Sequence, residues 1–162
     1  MVKNIKKVVP SFRYMSGKYK VKNKEKYIGD LSEVIFRSSY ERKFMVFCDL
    51  DPSVLKWSSE PYSIPYLDTL TDKTRNYFVD FYAKIKKPSG ETQDYIVEVK
   101  PRKKLNKPLK PNRESLNKLK NYNAAMHEYL TNLSKFSAAK SYALKIGYKF
   151  IIVTEKELYG KP

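Results

Sequence analysis

Carboxylates set inside apolar, β-branched runs constrain this chain more than any other feature of it. Residues 75–101 read RNYFVDFYAKIKKPSGETQDYIVEVKP. Residues 76–86 and 93–100 are rich in β-branched and aromatic side chains, and Lys87-Pro88-Ser89-Gly90 between them is a turn-forming tetrad, a pattern that predicts a β-hairpin. Side chains two apart in a strand share a face. Tyr95, Val97 and Val99 therefore point one way, and Ile96, Glu98 and Lys100 the other, with Glu98 and Lys100 about 6.6–7 Å apart along the backbone. On the first strand Asp80 shares a face with Phe78 and Tyr82, and hairpin pairing brings it beside Glu98. An aspartate in a strand runs against propensity, and a buried charge must be paired or bind a metal.

Two readings account for this placement. In the first, Asp80, Glu98 and a backbone carbonyl, that of Val99, supply the oxygen ligands that Mg2+ takes at about 2.0–2.1 Å. Lys100 at the edge of such a site orients an attacking water or stabilises charge building on phosphorus. In the second, Glu98 and Lys100 form an exposed cross-strand ion pair and Asp80 lies on the solvated face of an antiparallel sheet.

Charge points to a partner. The chain has 33 Lys and Arg against 17 Asp and Glu, a net +16. Residues 1–28 hold 9 basic and 1 acidic residue, and residues 100–120 hold the same, so these two segments carry the whole surplus. A surplus confined to segments suits a polyanion, because neutralising phosphates releases counterions. Double-stranded DNA is the expected partner, with Lys18, Lys20, Lys22, Lys24, Arg102, Lys103, Lys104, Lys107 and Lys110 as contacts. Two solvated basic segments are the alternative.

A length of 162 residues suits one domain. The expected division is a basic, partly extended arm over residues 1–28 and a single domain over residues 29–162. The arm interleaves lysines with Phe12, Tyr14, Tyr19 and Tyr27, rings that can stack on bases or pack on the domain.

Absences exclude several chemistries. Cys48 is the only cysteine and His127 the only histidine, which removes disulfide frameworks, thiolate zinc sites and multi-histidine metal sites. The five glycines are too scattered for G-x-G-x-x-G or a Walker loop, so no nucleotide cofactor is expected. Apolar runs are a handful of residues long, far below the roughly 20 of a membrane helix, and no membrane partner is expected.

Ser38 and Glu41 fit a capping box for a helix over residues 39–50. Glu41 either returns a hydrogen bond to that cap or extends toward the sheet as a third carboxylate. Residues 54–60 and 62–70 read as an edge strand and its continuation, with Trp57 packed inside. Residues 103–111 read as an exposed loop. A helix follows from Asn112, a second cap near Asn132 starts another, and Gly147 stops it. Residues 148–154 are a continuous apolar strand of the kind buried on both faces, and residues 155–158 start a short helix. The order is helix, three strands, helix or helix pair, strand: an α/β sheet with helices on both sides.

This order resembles the αβββαβ core of the PD-(D/E)XK nuclease superfamily. Within it the chain is similar to the TnsA-like group and, more narrowly, to the head completion nucleases of T-even-type phages. The carrying stretches are FRSSYERKF around Glu41, VLKWSSEPYSIPY, RNYFVDFY around Asp80, IVEVKP around Glu98 and Lys100, and GYKFIIVTEKEL. The resemblance implies a restriction-endonuclease-like fold and a divalent-metal-dependent DNA endonuclease. It implies that Asp80, Glu98, Val99 and Glu41 hold one or two Mg2+ or Mn2+ ions, with Lys100 beside the attacking water. Val79 stands where the family often has proline, and Glu60 where relatives often place a Gln or Glu before Pro, which makes it a candidate for positioning substrate. A role in completing the packaged head, contacts with capsid, portal or neck proteins, and a place in the virion and host cytoplasm are implied too. The rival functions are a non-catalytic head protein that binds DNA ends and a junction-resolving or restriction-type nuclease.

Overall fold

A computed structural model of the protein describes residues 15–112 and 115–160; the rings expected at Phe12 and Tyr14 lie outside these. In chain order the elements are β1 (Gly17–Lys18), β2 (Ile35–Phe36), α1 (Ser39–Leu50), β3 (Val54–Ser59), β4 (Ser63–Asp68), β5 (Lys73–Phe78), β6 (Phe81–Lys86), β7 (Thr92–Val99), α2 (Leu116–Lys145), β8 (Lys149–Val153) and α3 (Glu155–Tyr159). The central sheet has the order β3-β6-β7-β8, antiparallel except for the parallel pair β7 and β8. Parallel neighbours need a long crossover, and α2 supplies it.

Alternation along β7 gives the sheet two apolar faces. Val97 and Val99 join Phe44, Met45 and Cys48 of α1 with Trp57 and Phe81 in one core. Ile96 joins Ala139 and Ala143 of α2 in a second core, with Ile64, Tyr66, Tyr77 and Val79. This is a mixed α/β fold, a mixed sheet flanked by helices, of the restriction-endonuclease-like kind.

The run over residues 76–86 is not one strand. It splits at Val79-Asp80: β5 pairs with β4 in a separate two-stranded ribbon, and β6 pairs with β3 and β7. Residues 62–70 accordingly do not continue β3 but form the ribbon's other strand and its turn. The chain bends at Asp80 and its hydrogen-bond partners change across the break, with Val79 N–H donating to Tyr62 O at 3.2 Å and Glu60 N–H to Asp80 O at 2.9 Å. Glu60, with φ of 47°, is where the chain leaves β3 for the ribbon.

Two further expectations change. No second cap forms near Asn132, since α2 is one helix of 30 residues and Ser134 Oγ donates to Leu130 O within it at 3.4 Å. The strand β8 lies at the sheet edge, so Phe150, Ile151 and Ile152 are half-buried rather than buried on both faces. Among residues 15–28, β1 pairs with β2, Val21 is buried, and Tyr19 and Tyr27 pack edge-on against Trp57 at centroid distances of 6.1 and 4.7 Å.

Candidate active site

The break between ribbon and sheet positions the first carboxylate. Pairing of β6 with β7 starts at Phe81 and Val97, so β6 offers no partner to Val99 N–H, and Asp80 Oδ2 accepts from it at 2.7 Å. Asp80 is thereby fixed against the end of β7 by its own side chain.

Glu98 projects from β7 toward α2 and is only 3% exposed. Its Oε1 accepts from Lys100 Nζ at 2.8 Å, and its Oε2 accepts from the hydroxyl of Tyr77 on β5. Lys100 Nζ also lies 3.5 Å from Asn132 Oδ1 and 5.8 Å over the Phe136 ring, one turn further along α2. The ammonium therefore sits between a carboxylate, an amide oxygen and an aromatic face.

Burial and the negative charge of Glu98 push the Asp80 carboxyl well above the usual range; the Val99 N–H and Lys100 pull the other way, and Glu41 adds to the rise. Burial, then Glu98, also raises the Tyr77 hydroxyl, which stays protonated as a donor. Among the described residues no three His, Cys, Asp or Glu side chains gather closely enough to hold a metal. The acidic pair here is Asp80 and Glu98. Two partly desolvated carboxylates that repel each other fit a hard divalent cation, which relieves that repulsion.

Glu41 is turned to its own helix start. Its N–H donates to Ser38 Oγ at 3.1 Å, its Oε1 accepts from Ser38 Oγ at 2.9 Å and its Oε2 from Arg37 N–H at 2.7 Å. Its charge is still felt at Asp80. Arg37 reaches across to pair with Glu60. The structure thus brings Asp80, Glu98 and Lys100 together and leaves Glu41 on its cap. Sequence reasoning missed Tyr77, Asn132 and Phe136. Tyr77 was hidden because its contact depends on the ribbon folding back, and Asn132 read as a helix cap rather than as a partner of Lys100.

All nine basic residues expected to contact DNA are solvent-exposed. Arg102, Lys103 and Lys104 form a 3-10 turn directly after the site, where Lys104 pairs with Glu128 and Arg102 N–H donates to Glu155 Oε2 at 2.9 Å. Lys18 lies on β1 beside the β2 residues that lead into Arg37 and the α1 cap. Lys22 and Lys24 lie at the opposite end of α1. There Asp49, fully buried, accepts from Tyr19 OH at 2.9 Å and from Lys22 N–H and Asn23 N–H at 2.8 Å each.

The family described as TnsA-like endonuclease N terminal matches residues 51–155, a span that holds Asp80, Glu98 and Lys100 and omits Glu41. The chain is also 36% identical over 143 residues to the head completion nuclease of Enterobacteria phage T4, covering 88% of this chain and 93% of that protein. With a match of that extent behind it, the chain belongs to the TnsA-like endonuclease family.

Proposed function

We propose that the protein is a divalent-metal-dependent DNA endonuclease that hydrolyses phosphodiester bonds through a PD-(D/E)XK arrangement. The observation that carries this reading is the convergence of Asp80 and Glu98 from two different segments, with Lys100 bonded to Glu98 at 2.8 Å. Asp80, Glu98 and the Val99 carbonyl are the groups that would hold Mg2+ or Mn2+, as one or two ions, and Glu41 would join them as a further oxygen ligand on leaving its bonds to Ser38 and Arg37. When bound, such an ion supplies Lewis-acid stabilisation of the phosphate and a more acidic water. Lys100 orients the attacking water beside Glu98 and offsets negative charge as it develops on phosphorus. Tyr77, Asn132 and Phe136 keep Glu98 and Lys100 in place.

The substrate is double-stranded DNA, gripped through the basic arm at residues 1–28 and the basic loop after Lys100, with residues 29–162 as one nuclease-like domain. The T4 relative is a head completion nuclease. By likeness to it we place the work of this chain in completing filled heads, next to capsid, portal or neck proteins, in the virion and host cytoplasm.

Linear, circular and branched DNA incubated with the protein and Mg2+ or Mn2+ should be cut. Asp80→Ala and Glu98→Gln should stop cutting and keep DNA binding. No cleavage by the unsubstituted protein, or equal cleavage by Asp80→Ala, overturns the proposal. Equal rescue of head maturation by the Glu98→Gln form assigns the biological role to structure rather than catalysis.

A further inference from the structure

The ribbon β4–β5 has two unlike faces. Ile64, Tyr66 and Tyr77 are buried toward α2. The other face sets Ser63, Pro65 and Leu67 opposite Phe78, Asn76 and Thr74, and all six are exposed. In a chain of net charge +16 that face holds no charge at all. At its base, next to the sheet, Phe78 is 57% exposed.

A single exposed ring is ordinary on a protein surface. The placement of this one is not. Phe78 stands two residues before Asp80, so their backbones are at most about 7 Å apart. Its neighbours Tyr77 and Val79 are buried, Tyr77 is bonded to Glu98, and Val79 N–H is bonded to Tyr62, so the backbone beneath the ring is held from both sides. The ring thus stands on a fixed base two residues from Asp80, on the ribbon face opposite Tyr77. A strand whose phosphate lies against Asp80 has its flanking nucleotides, spaced about 3.4 Å apart, within reach of that ring. An uncharged aromatic surface suits the face of a base and offers nothing to a phosphate.

We propose that Phe78 stacks on a base next to the phosphate held at Asp80 and so keeps the strand locally unstacked at the site. The proposal rests on the nuclease reading for its substrate. The occupant is a DNA strand rather than a protein, since a protein seated on Phe78 would lie beside Asp80 where the substrate must approach.

The test uses the full chain carrying Asp80→Asn, which binds without cutting, and a short duplex with 2-aminopurine in place of every adenine, so that register does not matter. Binding should change the 2-aminopurine fluorescence. Adding Phe78→Ala should abolish that change and weaken binding by about fivefold to a hundredfold, while Phe78→Trp restores both. The salt dependence of binding should keep its slope, because the ring neutralises no phosphate. Circular dichroism and the fluorescence of buried Trp57 check that the exposed substitution leaves the fold intact. Equal fluorescence and affinity with and without the ring overturn the proposal, as does a slope that changes with the ring. A change in oligomeric state on Phe78→Ala assigns the ring to contact between copies and also overturns it. Because this assay needs no cleavage, its failure is separate from that of the nuclease reading, which falls if the unsubstituted protein cuts no DNA with Mg2+ or Mn2+.

Discussion

The hydroxyl of Tyr77, on the two-stranded ribbon, donates to Oε2 of Glu98, on the central sheet. With Lys100 on Oε1, both oxygens of the buried carboxylate are held by groups from either side of it. Tyr77→Phe keeps the packed ring and removes only the donor. Losses of a group that orients a metal ligand typically run to about 10–100-fold, so cleavage should need that much more Mg2+. A Mg2+ titration of cleavage measures this, and thermal unfolding should show a loss of only about 1 kcal/mol.

Asp80 gives the opposite sign for stability. Its carboxyl is pushed up by burial and by Glu98, so its protonated form is favoured on folding, and the stability this brings is present in acid and lost as pH rises through the folded value. At pH 7–8, well above the unfolded value, burial beside Glu98 makes Asp80 a net cost to the metal-free fold that Asp80→Asn removes, while the amide oxygen still accepts from Val99. The variant should unfold a few degrees higher in EDTA at pH 7–8, at about 2–4 °C per kcal/mol for a chain of this size. Below about pH 4 the difference should vanish as the wild-type group protonates. A lower midpoint for Asp80→Asn in EDTA would count against the repulsion.

Asn132 separates activity from stability. It is 5% exposed, its Oδ1 faces Lys100, and its Nδ2 has no hydrogen-bond partner. An unmet buried donor costs about 1–3 kcal/mol, so Asn132→Leu should match or exceed the wild-type unfolding midpoint. Cleavage should nonetheless fall, with kcat reduced more than KM rises, because Lys100 loses one of its three contacts. Denaturation curves and steady-state kinetics on the same preparation check both halves.

Asp49 should govern the seating of residues 15–28. Burial pushes its carboxyl up, but the donors Lys22 N–H, Asn23 N–H and Tyr19 OH together outweigh burial and hold it below the usual range. A depressed group adds stability that is present above its unfolded value and lost as pH falls through the folded one. Release should therefore begin only below about pH 4. Asp49→Ala strands three donors and should cost about 3–5 kcal/mol at neutral pH. Trp57 fluorescence reports both events, because Tyr19 and Tyr27 pack on its ring. An acid transition unchanged by Asp49→Asn would refute the assignment.

Local signals made part of this architecture legible. Ser38 and Glu41 mark the start of α1, and Gly147 takes up φ of 76° just past the end of α2. The alternation of residues 95–100 correctly divides β7 between two cores, because a strand has only two faces. What stayed hidden was the choice of partner. Residues 76–86 have the composition of a strand throughout, and nothing local says that Phe78 bonds to the ribbon while Phe81 bonds to the sheet. Asn132 and Ser134 carry the side chains of a helix start, yet tertiary packing runs α2 straight through them. Tyr77 reaches Glu98 only because the ribbon folds back over α2, a relation between residues 21 apart that no periodicity encodes.

At about 1.5 Å per residue, α2 is some 45 Å long, whereas the five residues of β8 span about 17 Å. The buried residues of α2, Asn132, Ala139 and Ala143, all lie in its later half. Over the dozen residues 116–127, about 18 Å of helix, Lys118 and Lys120 are exposed, and just beyond them Lys104 pairs with Glu128. On the nuclease reading that length matches some five base pairs of duplex, so these turns extend the proposed basic surface past the loop after Lys100.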